Sequence, residues 1–115
     1  MIESINSAVT EVQDELAKRF ARAEPFPHIA IDDFLVPDLC QQLARTFPSF
    51  ENGQSFDDED LERAGKAQCE DIRALGPGYR AADDLVRSSA FLDLIGTITG
   101  IPNLLYDPDY VGAGT

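Results

Sequence analysis

The sequence holds one histidine, His28, and a lone imidazole can serve as a base or as one ligand of a metal. No second histidine accompanies it, so a structural role is expected, as a capping or partly buried side chain at the start of a short strand. The run Asp57-Asp58-Glu59-Asp60, flanked by Glu51 and Glu62, is the densest cluster of carboxylate oxygen. A calcium loop alternates its ligands and closes on a glutamate at its twelfth position. This run has neither feature and reads as a solvated loop. Gly112-Ala113-Gly114 echoes a glycine-rich phosphate loop, which works only when a following helix offers its free N–H groups, and no helical pattern follows. Cys40 and Cys69 lack the number and spacing of a disulfide framework or a zinc knuckle and are expected to be reduced thiols. Lys66 and the arginines from Arg73 to Arg80 carry charge suited to an anionic substrate, but among 21 acids they are expected in weak surface pairs. No residue stands out as catalytic or as a metal ligand.

Nine basic residues against 21 acidic ones leave a net charge of −12. A field of that sign repels phosphate backbones and anionic lipid, which argues against nucleic acid and membrane surfaces as partners. No stretch approaches the roughly 18 apolar residues of a membrane span. Met1-Ile2-Glu3 does not begin a basic-then-apolar leader, so the chain is expected to be cytoplasmic. Its 115 residues make one small domain or a fragment of a larger one.

Ile5, Val9, Val12, Leu16 and Phe20 recur at helical spacing and predict one helix from Ser4 to about Ala23, ended by Pro25 and Pro27. Ile29 and Ile31 alternate with more polar neighbours, which predicts a short strand over 28–32 with both isoleucines inward. Pro37 and Asp38 suit the first turn of a second helix, whose stripe is Leu39, Leu43 and Phe47. An acidic loop region follows over 51–80, in which Leu61 to Ile72 has room for a turn or two of helix. A third helical region is expected to break at Ser88-Ser89, where a serine can cap a helix through Phe91, Leu92, Ile95 and Ile98, with Gly100 as its stop. Asn103 to Tyr106 reads as the start of a second strand. The resulting division is 1–24, 25–50, 51–80 and 81–115, within one domain or fragment of α+β class.

Pro25-Phe26-Pro27-His28-Ile29-Ala30-Ile31-Asp32-Asp33-Phe34-Leu35, followed by a helix from Pro37 to Phe47, resembles the opening segment of the prolyl-hydroxylase-like Fe(II)/2-oxoglutarate oxygenases. The run from Phe91 to Leu104, with Thr99-Gly100-Ile101 at its turn, resembles the same family's helix and its step into the first core strands. The resemblance covers about residues 25–115 and rests on residues that frame a fold. It implies N-terminal helices followed by the first strands of a double-stranded β-helix, or jelly roll, here truncated. It also implies Fe(II) and 2-oxoglutarate as cofactors of the complete protein, with none bound to this chain. In the family, iron is held by His-x-Asp and a distant second histidine, and the sequence ends near where the first of these is expected. A two-histidine, one-carboxylate triad needs two histidines, so this chain alone is expected to be inactive. Tyr106 and Tyr110 occupy the region in which relatives place a tyrosine that hydrogen-bonds 2-oxoglutarate, and they are the candidate cofactor-binding residues.

The resemblance implies the N-terminal part of a dioxygenase that hydroxylates a small molecule or a protein side chain. The alternative is a non-catalytic α+β interaction module that self-associates through its first helix. In either case a homo-oligomer is expected, because an unpaired strand at Asn103 to Tyr106 needs cover. The shared core is expected to contain Ile29, Ile31, Leu39, Leu43, Phe47, Leu92 and Ile95.

Overall fold

The computed structural model describes residues 4–49, 54–55, 67–69 and 71–109. The N-terminal stripe divides into two helices, α1 (Ser7–Glu11) and α2 (Gln13–Arg22). Asn6 caps the first by accepting a hydrogen bond from the Ala8 N–H at 3.1 Å, which places Ile5 outside the helix. Ile5 instead forms an isolated antiparallel bridge with Leu35, in which the Asn6 N–H reaches the Phe34 carbonyl at 2.8 Å and the Val36 N–H reaches Ser4 at 3.0 Å. Val12 interrupts the helix with φ −113° and ψ 20°. That kink turns Val12 outward while Ile5, Val9 and Leu16 stay buried.

The α+β, jelly-roll expectation is overturned: the described residues are helical, and neither expected strand forms. Residues 28–32 join no ladder, although Ile29 and Ile31 do turn inward and pack against the core, with Ala30 and Asp32 exposed. Alternation reports which side chains are buried, whereas a strand also needs a neighbour for its N–H and C=O groups, and here the neighbours are helices. Asn103 has a positive φ of 56° in a turn, and residues 104–106 continue without a partner strand. Among the described residues the extended pairing is the bridge at Ile5 and a two-residue antiparallel pair, β1 (Gln54–Ser55) with β2 (Ala67–Gln68). The expected helical turn over Leu61 to Ile72 falls partly outside the described residues, and within them Ala67–Gln68 is extended.

The second expected helix is present as α3 (Pro37–Arg45), with Pro37 in its first turn and Asp38 beside the positive end of its dipole. It stops before Phe47, which is exposed, and Leu43 is only half-buried, so of its expected stripe Leu39 alone is buried. A 3₁₀ turn over Ile72–Leu75 leads into α4 (Pro77–Arg87), which starts inside the region expected to be loop. Ser88 then caps α5 (Ser89–Thr99) by accepting from the Phe91 N–H at 3.2 Å, and Gly100 ends it in the left-handed region at φ 74°.

The core lies mainly where α2 and α5 pack together, with α4 completing it. Its buried residues are Ile5, Val9, Leu16, Leu85, Leu94 and Ile98, with Phe20, Ile29, Ile31, Phe34, Leu35 and Phe91 packed against them. Leu92 and Ile95, expected in this core, are half-buried instead. Helix α5 is apolar around most of its circumference, so several stripes satisfy helical spacing. Packing against α2 selects Phe91, Leu94 and Ile98. Among the described residues no helix is long and apolar enough to cross a membrane.

Candidate functional site

Among the described residues, the cluster with the most charged side chains in hydrogen-bond contact is centred on Asp83, on the α4 turn that carries Leu85 into the core. Asp83 has 0% exposure, and a carboxylate taken from water at that depth needs several donors to replace its hydration. Arg73 from the 3₁₀ turn donates Nη1 to Oδ2 at 2.7 Å. Arg87, one helical turn further along α4, donates Nη2 to the same oxygen at 2.7 Å. Tyr106 donates its hydroxyl proton to Oδ1. The Tyr106 oxygen accepts from Arg87 Nη2 at 3.0 Å, and the Arg87 guanidinium carbon lies 4.8 Å from the centre of the Tyr106 ring.

A second ring of contacts fixes Arg73. Its Nη1 also donates to Asp84 Oδ1 at 2.7 Å, and Arg80 Nη1 donates to the Arg73 carbonyl at 3.2 Å. The hydrogen bond to Asp83, then that to Asp84, hold the Arg73 guanidinium's pKa above its ordinary value, against partial desolvation. Arg87 is raised too, first by its hydrogen bond to Tyr106. Arg73 and Arg87 offset the charges of Asp83 and Asp84, Arg80 adds a third guanidinium against the Arg73 carbonyl, and among the described residues no buried side-chain polar atom lacks a partner. Such an arrangement is suited to holding three chain segments together. Its donors are aimed at carboxylate, hydroxyl and carbonyl oxygens of the cluster itself.

Tyr106 is therefore placed with its hydroxyl on Asp83 and Arg87, while Tyr110, Lys66, the acidic run Asp57 to Asp60 with Glu51 and Glu62, and Gly112 to Gly114 lie outside the described residues. Arg73, expected in a weak surface pair, is instead a principal donor to a buried acid. Asp83 was not singled out in the sequence, where its only signal was the four-residue spacing to Arg87. His28 is exposed, with Nδ1 2.8 Å from the Phe26 carbonyl and its ring tilted against Phe26 at 5.3 Å. Because a carbonyl only accepts, Nδ1 carries the proton. Cys40 and Cys69 are free thiols. The first-helix stripe offered as a self-association seam lies mostly in the chain's own core, leaving Val12 exposed.

The donor set does not fit the iron site that the resemblance implies. The chain's one histidine makes a local contact, and among the described residues no group of three or more His, Cys, Asp or Glu side chains is placed to hold a metal ion. Comparison with family models, with curated proteins and with solved structures found no match.

Proposed function

We propose that the chain supplies N-terminal helical support to an Fe(II)/2-oxoglutarate-dependent dioxygenase whose complete form hydroxylates a small molecule or a protein side chain. The supporting observation is that the two segments carrying the resemblance, far apart in sequence, pack together. Phe34 meets Phe91 edge to face with ring centres 6.4 Å apart, and Ile29, Ile31 and Leu35 pack on the core that contains Leu94 and Ile98. In this reading residues 25–48 and 91–104 are one structural unit. Its role is to brace the catalytic part of the enzyme.

No catalytic step belongs to the described side chains. Fe(II) is held, on this reading, by a His-x-Asp and a second histidine that this chain does not supply. The free thiols Cys40 and Cys69 suit a reducing compartment, which supports a cytoplasmic location.

The test has two parts. Anaerobic titration of this chain with Mn(II), a redox-silent stand-in for Fe(II), is expected to give no stoichiometric micromolar binding. Succinate formation from 2-oxoglutarate is expected only when this chain is joined to, or co-purifies with, a polypeptide that supplies His-x-Asp and a second histidine. Tight Mn(II) binding that disappears in His28→Ala, or a full coding sequence and partner set without such a motif, would overturn the reading.

A further inference from the structure

The chain beyond α5 folds back along that helix and leaves an open groove of about 730 Å³. Two glycines make this possible. Gly100 takes the left-handed turn, and Gly96, lacking a side chain, lets the Ile101 carbonyl approach so closely that a Cβ on it would lie 3.0 Å from that oxygen. Leu92 lines the groove from α5, and Ile101, Leu104 and Leu105 line it from the returning segment. Leu105 is 91% exposed and Ile101 51%, so both present apolar surface to solvent.

We propose that this groove docks a protein segment bearing apolar anchors flanked by lysine or arginine. Apolar lining supplies the affinity, and charge selects the occupant. From Ser88 to Thr115 the sequence contains no Lys, Arg or His, whereas the acidic Asp93 itself lines the groove. Arg87, the nearest cation in sequence, is held by Asp83 and Tyr106. A second copy would bring another −12 to this surface and no basic residue in the same segment, so complementarity favours a basic partner over self-association. The inference goes beyond the oxygenase reading and does not depend on it.

The probe is a synthetic amphipathic peptide of leucine and lysine, about 14 residues or roughly four helical turns, titrated calorimetrically into the protein. Controls are the same peptide with glutamate at every lysine position and a scrambled peptide without an apolar face. Saturable 1:1 binding of the first peptide alone is expected, weakening as salt is raised. Leu105→Asp is expected to weaken it about tenfold or more, and Asp93→Lys several-fold. Leu105→Asp adds negative charge, so capture by charge alone would become tighter in that variant. Unchanged or tighter binding there, equal binding of the glutamate or scrambled peptide, or no saturable binding would overturn the proposal. A concentration-dependent dimer abolished by Leu105→Asp would also overturn it, by assigning the groove to a second copy.

Discussion

Tyr106 reaches back 23 residues to donate its hydroxyl proton to Asp83, a carboxylate with no solvent exposure. Through Arg73, the same acid ties the 3₁₀ turn to α4. One buried charge therefore ties three segments of the chain together. The two arginines remain partly exposed, at 41% and 44%, so water screens their outer faces while the acid depends on the protein for its partners.

Asp83→Asn keeps the side chain's shape and removes its charge. Two guanidiniums then face an amide in place of a carboxylate, and breaking a buried pair in this way is expected to cost about 3–5 kcal/mol. Urea denaturation measures the loss. Asp84→Asn, at a side chain that is 42% exposed, should change stability by no more than about 1 kcal/mol. Equal effects at the two positions would show that burial does not set the strength of this cluster.

Tyr106→Phe retains the ring beside Arg87 and deletes the hydroxyl that donates to Asp83. The expected cost is about 1–3 kcal/mol, because a buried acceptor loses a donor. Hydrogen exchange should quicken over residues 101–109 before it does in α2. Uniform quickening across the chain would mean that Tyr106 supports the whole fold and not this segment.

Local chemistry was legible in the sequence wherever a few adjacent residues decide the outcome. Pro37 with Asp38 located the start of α3, and Ser88 and Gly100 bracketed α5. Where a distant partner decides, the same residues were ambiguous. The alternation at Ile29 and Ile31 identified side chains that face the core and are partly buried but not the absence of a ladder, since pairing depends on what else comes near. In α5, Leu92 and Leu94 are equally apolar, and only contact with α2 sends Leu94 into the core and Leu92 to the groove. The Asp83 cluster was least visible, because Arg73 and Tyr106 join it from ten and 23 residues away.

The difference between a buried and an exposed apolar position is measurable. Leu94→Ala, at a position 4% exposed, should cost about 2–5 kcal/mol. Phe47→Ser, at a position 65% exposed, should stay within about 0.5 kcal/mol. Thermal or urea unfolding of both variants gives the comparison. A large loss at Phe47 would place it in a core that the described packing does not give it.

The raised pKa of Arg73 bears on how this cluster responds to alkali. A group whose folded pKa is raised contributes stability that is fully present below its unfolded value and lost as pH climbs through the folded one. For Arg73 both values lie above the range in which proteins are handled, so its contribution is flat there. Arg73→Lys puts an ordinary pKa of about 10.4 in the same place. The stability difference between wild type and this variant should therefore be constant near neutrality and widen above about pH 10.4. Comparing the two proteins cancels any tyrosine titration they share. A difference that narrows with rising pH would show that charge on this residue does not hold Asp83.

The two glycines at the end of α5 oppose different forces. Gly100 has φ 74°, where a Cβ is disfavoured by about 1–2 kcal/mol, and nothing lies within 4 Å to complicate the substitution. Gly100→Ala is expected to lose about that amount. At Gly96 the helix itself would favour alanine by up to about 1 kcal/mol. Against this, the new Cβ would stand 3.0 Å from the Ile101 carbonyl, a backbone atom that can yield only by moving the returning segment. Overpacking of this kind costs about 1–3 kcal/mol, so Gly96→Ala should be neutral to moderately destabilising overall. Its distinguishing sign is local: faster hydrogen exchange over 101–105 with α5 itself protected as well as before. Protection unchanged over 101–105 would show that the returning segment does not rest on Gly96.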